Sequence, residues 1–212
     1  GAMGDGWRRQ MGRCRYGNVI HEFDPWFNYR ATEYLAEHGW RAFFTWFDHR
    51  SWYPLGRPVG TTIYPGMQIA SVAIWRALGA LGSDMSLNDV CVYVPVWFGV
   101  AATLLLGLLT FECGQSANAA VGAALVMSVI PAHLMRSVGG GYDNESVAMA
   151  AMVLVFWCFH SVLAQWLCMP IDANPRCWCR ALRNQTSWPM GAAAGLAYVN
   201  MAAAWGGFVF VG

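Results

Sequence analysis

VCVYVPVWFGVAATLLLGLLTF, residues 90–111, runs for 22 positions without a charged side chain. About 20 apolar residues cross the hydrocarbon core of a bilayer, and a soluble core helix of that length would carry a polar stripe that this stretch lacks. Three further stretches are also uncharged: 117–135, rich in small residues and interrupted by Pro131-Ala132-His133; 147–169; and 188–212. The expectation is an all-α, polytopic membrane protein with about four spans. Composition agrees. Only 12% of the 212 residues are charged, against about 25% in an average soluble domain. The 12 Trp suit a membrane boundary, where indole rings collect.

A fifth apolar stretch, 63–81, holds Arg76 near its middle, with Gln68 and Ser71 close by. An arginine at mid-span costs about 2.5–3.5 kcal/mol on insertion scales. The preferred reading is therefore a helix lying in the interface, with Arg76 reaching water. The alternative is a span that tolerates one Arg. Arginines near span ends set orientation. The 170–187 loop carries Arg176, Arg180 and Arg183 against one Asp and is expected to be cytoplasmic; Arg8, Arg9, Arg13 and Arg15 conflict with that assignment.

Several function classes drop out. A net charge of +1 argues against a nucleic-acid footprint, which needs a basic surface. Seven Cys form no disulfide framework, and Cys177-Trp178-Cys179 lacks a second pair at zinc-ligand spacing. Residues 1–18 read as a lead-in, and no apolar stretch precedes Val19, so a first span is expected upstream. His133 and His160 read as packed or interfacial side chains, and Trp26, Trp40, Trp46 and Trp52 as interface anchors.

The carboxylates are more informative. Glu22-Phe23-Asp24 and Asp143-Asn144-Glu145 each place two acids two positions apart beside apolar segments. Carboxylates at a membrane boundary are costly unless solvated, paired or bound to a cation. In extended or turn backbone such a pair approaches one site and suits a hard divalent cation. Pro25 is expected to hold Asp24 extended before a helix over 26–37. Gly139-Gly140-Gly141 permits tight backbone at the end of the second span. The same spacing equally fits helix N-termini, with Asp143 as a cap and Glu145 as a first-turn acid. Spacing alone leaves both readings open. The two clusters reach one membrane face only if an even number of spans lies between them, which agrees with 63–81 lying flat.

HEFDPWFNYRATEYL (21–35), SWYPLGRPVGTTIYPG (51–66), RSVGGGYDNE (136–145) and AAWGGFVF (203–210) together resemble the catalytic subunit of eukaryotic oligosaccharyltransferase. The resemblance runs from Val19 to Gly212. It implies a GT-C type glycosyltransferase: an enzyme that moves a preassembled oligosaccharide from dolichyl diphosphate to Asn in Asn-X-Ser/Thr sequons, with inversion and with Mn²⁺ or Mg²⁺. By position, Asp24 resembles a first-loop acid that contacts both metal and acceptor amide. Asp143 and Glu145 resemble the second metal-binding motif. Arg136 matches a catalytic arginine close to the first-loop acid, and Glu22 takes a supporting role behind the metal ligands. Residues 51–54 and 60–62 are read as loop structure.

The resemblance also implies an organisation. Residues 19–89 would form a first lumenal loop with interfacial helices. Residues 90–212 would form a transmembrane bundle with spans near 90–111, 117–135, 147–169 and 188–212, and a second acidic lumenal loop at 136–146. The setting would be the endoplasmic reticulum membrane, with the acidic clusters facing the lumen. The implied partners are membrane lipid, the dolichyl-diphosphate oligosaccharide, an acceptor polypeptide and other oligosaccharyltransferase subunits. The chain carries no first span, no Trp-Trp-Asp motif and no C-terminal lumenal domain, so by itself it is expected to be inactive. The alternatives are another polyprenyl-phosphate-dependent membrane sugar transferase, or a transporter segment with acids along an ion path.

Overall fold

Residues 23–44 form the first helix, α1 (Phe23–Phe44), and its sequence explains which side it buries. Asn28, Ala31, Thr32 and Leu35 are buried, the i, i+3, i+4, i+7 spacing that lines one face of a helix. Gly39 breaks the helical backbone with φ 78° and ψ 179°, a conformation that suits a residue without Cβ. A short antiparallel hairpin follows, β1 (Phe47–Asp48) against β2 (Arg57–Pro58), with Phe47 opposite Pro58 and Asp48 opposite Arg57. Next come α2 (Gly66–Ala80), α3 (Leu87–Gly114), α4 (Ala117–Val129), α5 (Pro131–Arg136), α6 (Asn144–Leu167), α7 (Ser187–Ala204) and a 3-10 turn (Gly206–Phe210). These elements come from a computed structural model that describes residues 18–167 and 187–211. The arginine-rich 170–186 loop and the N-terminal arginines lie outside the described residues.

The chain separates into two units. The first comprises the residues up to Val96 together with Ser137–Asp143. Its core is Ala31, Leu35, Phe43, Val59 and Val72, with α1 packed on α2. Burying a side chain such as Leu35 or Phe43 is worth about 1.5–3 kcal/mol each. Gly60 lets the chain pass directly against the backbone of Phe43 and Phe44, where a Cβ would collide. Arg76 is exposed, while Gln68 and Ser71 on the same helix are buried. The second unit comprises Trp97–Arg136 and the residues from Asn144 onward. In it α6 packs along α7, and α4 meets α5. His133 is packed as the sequence implied, with Nε2 lying 3.3 Å from the Thr103 hydroxyl.

The protein is helical and membrane-type. Two helices among the described residues are long and apolar enough to cross a bilayer, Leu87–Gly114 and Asn144–Leu163. Their outer faces carry large apolar side chains in the open, including Leu104 (62% exposed) and Phe159 (61%). In water such faces would be a liability; against lipid tails they are at home.

The expected boundaries change in four places. The 117–135 span is not continuous: α4 stops at Val129 after 13 residues, and Ile130 is extended. Pro131 causes this, since it lacks the N–H an α-helix needs and crowds the preceding turn. The 188–212 span ends as α-helix at Ala204, before Trp205-Gly206-Gly207. α6 begins at Asn144 instead of 147, which takes Glu145 into its first turn. Asp24 is helical, not extended, because Pro25 falls in the first turn of α1, where backbone N–H groups have no intrahelical acceptor anyway.

Candidate active site

The first acidic cluster sits at the start of α1. Glu22 occupies the N-cap position with φ 66° and ψ 167°, and Asp24 lies in the first turn. A non-glycine residue in that region of backbone space is strained by about 1–3 kcal/mol and must be held there by its surroundings. The restraint is visible one residue earlier. The His21 N–H donates to the Gly140 carbonyl (3.0 Å), and the Gly140 N–H donates to the Val92 carbonyl (3.0 Å). Gly140 has φ +88°, and a Cβ there would press on the Val19 carbonyl and stand 2.8 Å from His21 Cδ2. Only glycine permits this crossing.

Residues 139–143 are thereby brought onto the first helix. Tyr142, the residue before Asp143, is fully buried. Its hydroxyl donates to Ser71 Oγ (2.7 Å) and lies 2.9 Å from Thr32 Oγ1. Its carbonyl accepts from Asn28 Nδ2 (3.2 Å), and Asn28 Oδ1 accepts from Gln68 Nε2 (3.2 Å). Burial pushes the Tyr142 phenol well above its ordinary pKa, so it stays a neutral donor. Within this unit Glu22 and Asp24 are exposed, and Asp143 is half-buried immediately before α6. The N-terminal reading of the second cluster holds for the backbone: Asp143 precedes the helix and Glu145 is its first-turn acid.

In the other unit Arg136 Nη1 lies 3.0 Å from Glu145 Oε2. The pair forms part of the wall of a cavity of about 290 Å³ that is otherwise lined by Ala132, Ala148, Met149, Met152 and Trp205. An apolar cavity with an ion pair on its wall suits an amphiphilic ligand with an anionic head, because Arg136 supplies a planar cation for phosphate-like oxygens.

A metal fits this chain in its chemistry. Asp24, Asp143 and Glu145 offer hard carboxylate oxygens of the kind Mn²⁺ and Mg²⁺ take. Among the described residues no three His, Cys, Asp or Glu side chains gather into a ready coordination group. An ion at Glu145 would compete with Arg136 for its carboxylate.

Sequence reasoning missed the buried polar set that carries the loop: Asn28, Thr32, Gln68, Ser71 and Tyr142. A signal was present, because Asn28 and Thr32, and then Gln68 and Ser71, are polar pairs at helical spacing on faces that are otherwise apolar. The 51–54 and 60–62 segments are loop structure. Ser51 Oγ donates to Asp48 Oδ2 (2.6 Å), and Arg57 Nε donates to Thr62 Oγ1 (2.8 Å) while its guanidinium lies 5.0 Å from the Trp52 ring centroid.

Comparison with known proteins supplies the context for these residues. A family model described as "Oligosaccharyl transferase STT3, N-terminal" matches residues 7–212. The dolichyl-diphosphooligosaccharide–protein glycosyltransferase subunit STT3 of Dictyostelium discoideum is 36% identical over 197 residues, 93% of this chain and 25% of that protein. Subunit STT3B of Oryza sativa is 39% identical over 198 residues, 93% of this chain and 24% of that protein. Subunit stt3 of Schizosaccharomyces pombe is 38% identical over 197 residues, 93% of this chain and 23% of that protein. The chain thus spans about a quarter of the length of the curated relatives it matches. With the family model covering nearly every residue, this chain belongs to the STT3 oligosaccharyl transferase family.

Proposed function

We propose that this chain contributes the first acidic loops of a membrane oligosaccharyltransferase, which transfers a preassembled glycan from dolichyl diphosphate to the side-chain amide of Asn in Asn-X-Ser/Thr. The observation that carries the reading is the seating of residues 139–143 on the start of α1, through His21–Gly140 and Asn28–Tyr142, in a chain of this family.

The chemistry follows from the amide. Its nitrogen lone pair is delocalised into the carbonyl, the resonance that also flattens a peptide bond, so it is a poor nucleophile. Asp24, exposed at the head of α1, accepts hydrogen bonds from the acceptor NH₂ and holds it rotated out of conjugation. Asp24, Asp143 and Glu145 would hold Mn²⁺ or Mg²⁺, which when bound would supply positive charge against the departing diphosphate. Arg136 keeps the Glu145 carboxylate oriented and offers a cation toward phosphate oxygens. Glu22 supports the Asp24 turn. Attack on the anomeric carbon from the face opposite the leaving group inverts its configuration.

The setting we propose is the endoplasmic reticulum membrane. Residues 19–89 and 136–146 face the lumen, α2 lies in the interface, and other subunits of the complex are partners. Asp24→Ala in the full-length catalytic subunit tests the core of this reading. Transfer to a sequon peptide is expected to fall by at least about 100-fold, the loss typical when one preorganised polar group is removed from a reacting centre, with membrane insertion unchanged. Wild-type transfer by that variant would refute the assignment.

A further inference from the structure

Tyr142 and Asn28 have a relation to the acidic residues that no assigned role covers. Asp24, Asn28 and Thr32 follow one another at i+4 spacing, so they lie along one face of α1. Tyr142 is the neighbour of Asp143. The hydrogen bond from Asn28 Nδ2 to the Tyr142 carbonyl (3.2 Å) therefore joins the turn after Asp24 to the residue before Asp143. On one side a single helical turn, and on the other a single peptide unit, separates a carboxylate-bearing residue from that bond.

We propose that Tyr142 and Asn28 are positioning residues, which hold Asp143 at a set place against the turn that carries Asp24. The inference rests on the reading that these two carboxylates serve glycan transfer. Three observations support it. The loop contains Gly139-Gly140-Gly141, a run with little conformational preference of its own, so its position must come from tertiary anchors.

The Tyr142 ring is fully buried, where Phe would pack equally well without a hydroxyl to desolvate. The hydroxyl instead lies between two buried hydroxyl partners, Ser71 and Thr32. Ser71 donates its proton to the Met67 carbonyl (2.8 Å) and Thr32 has the Asn28 carbonyl as acceptor (2.9 Å). Ser71 Oγ is thus left to accept from Tyr142 (2.7 Å). Finally, the backbone at Glu22 is strained, at φ 66°, immediately after the His21–Gly140 bond. The loop is pulled to this place, not merely resting there.

The test uses the full-length catalytic subunit in its native assembly, with steady-state transfer to a fluorescent sequon peptide and hydrogen exchange by mass spectrometry. Tyr142→Phe is expected to lower kcat by about 10- to 100-fold, the scale of a small misplacement at a reacting centre. The peptide KM should stay within about twofold, and exchange should quicken only in residues 18–24 and 138–143. Asn28→Ala should do the same. The double variant should lose less than the product of the two single losses, because the hydroxyl and carbonyl bonds anchor the same residue.

Unchanged kcat in Tyr142→Phe overturns the proposal, and so do additive losses. Faster exchange throughout α1 and α2 also overturns it, since that marks a general folding role. Asp24→Ala and Asp143→Ala run alongside. If both transfer glycan like wild type, the functional reading falls and this inference with it. If both are inert while Tyr142→Phe is fully active, this inference alone falls.

Discussion

Glu22 is where single-residue physics and function touch. Its φ of 66° lies in the left-handed region that glycine enters freely and other residues enter at a cost. Glu22→Gly is therefore expected to raise the stability of the folded protein by about 1 kcal/mol, read as an upward shift of Tm in detergent. A lowered Tm would show that the carboxylate itself holds the turn, through contacts worth more than the strain. Asp24 teaches a related lesson. Pro25 led the sequence reading to an extended Asp24, since a residue before proline usually avoids the helical region. The structure makes it helical because the first turn has no hydrogen bond for proline to remove. Asn28, Thr32, Gln68 and Ser71 were legible only as polar residues at helical spacing. That spacing marks a face but not its partner, and the partner, Tyr142, lies more than 60 residues away along the chain.

Elements show which boundaries are local. α3 and α6 were legible as long apolar helices because hydropathy is a property of the segment itself. The break between α4 and α5 was marked by Pro131. The early start of α6 was one of the two readings that the Asp143–Glu145 spacing left open, with Asp143 ahead of the helix and Glu145 in its first turn. The hairpin was also missed as an element: two residues a side give no periodicity, and an isolated hairpin of that size is not stable alone. It is held by Asp48, whose side chain is 2% exposed and lies 2.8 Å from Arg30 Nη2.

Burial by itself would raise the Asp48 pKa. Hydrogen bonds from the Ser51 hydroxyl and the Arg50 N–H, with the charge of Arg30, together bring it below the ordinary 3.8. A depressed carboxyl stabilises the fold fully above its unfolded pKa and loses that contribution as pH falls through the folded value. Asp48→Ala is thus expected to cost about 2 kcal/mol near neutral pH. The Tm gap to wild type should narrow as the pH is taken down through and below the ordinary carboxylate range. A gap that is constant across that range would show that packing, not charge, holds the hairpin.

At the scale of the whole molecule, the chain covers about a quarter of its relatives' length. The purified 212-residue chain is accordingly expected to transfer no glycan to a sequon peptide, with or without added Mn²⁺. Detectable glycopeptide in that assay would mean that the acidic loops suffice on their own.

The helical membrane class and the family could be read from the chain, because hydropathy, charge and motif are properties of neighbours in sequence. The seating of residues 139–143 on the start of α1, the buried Tyr142 network and the Arg136–Glu145 pair belong to the fold. They depend on hydrogen bonds and burial between distant residues, and for those a sequence names the donors and acceptors but not which will face which.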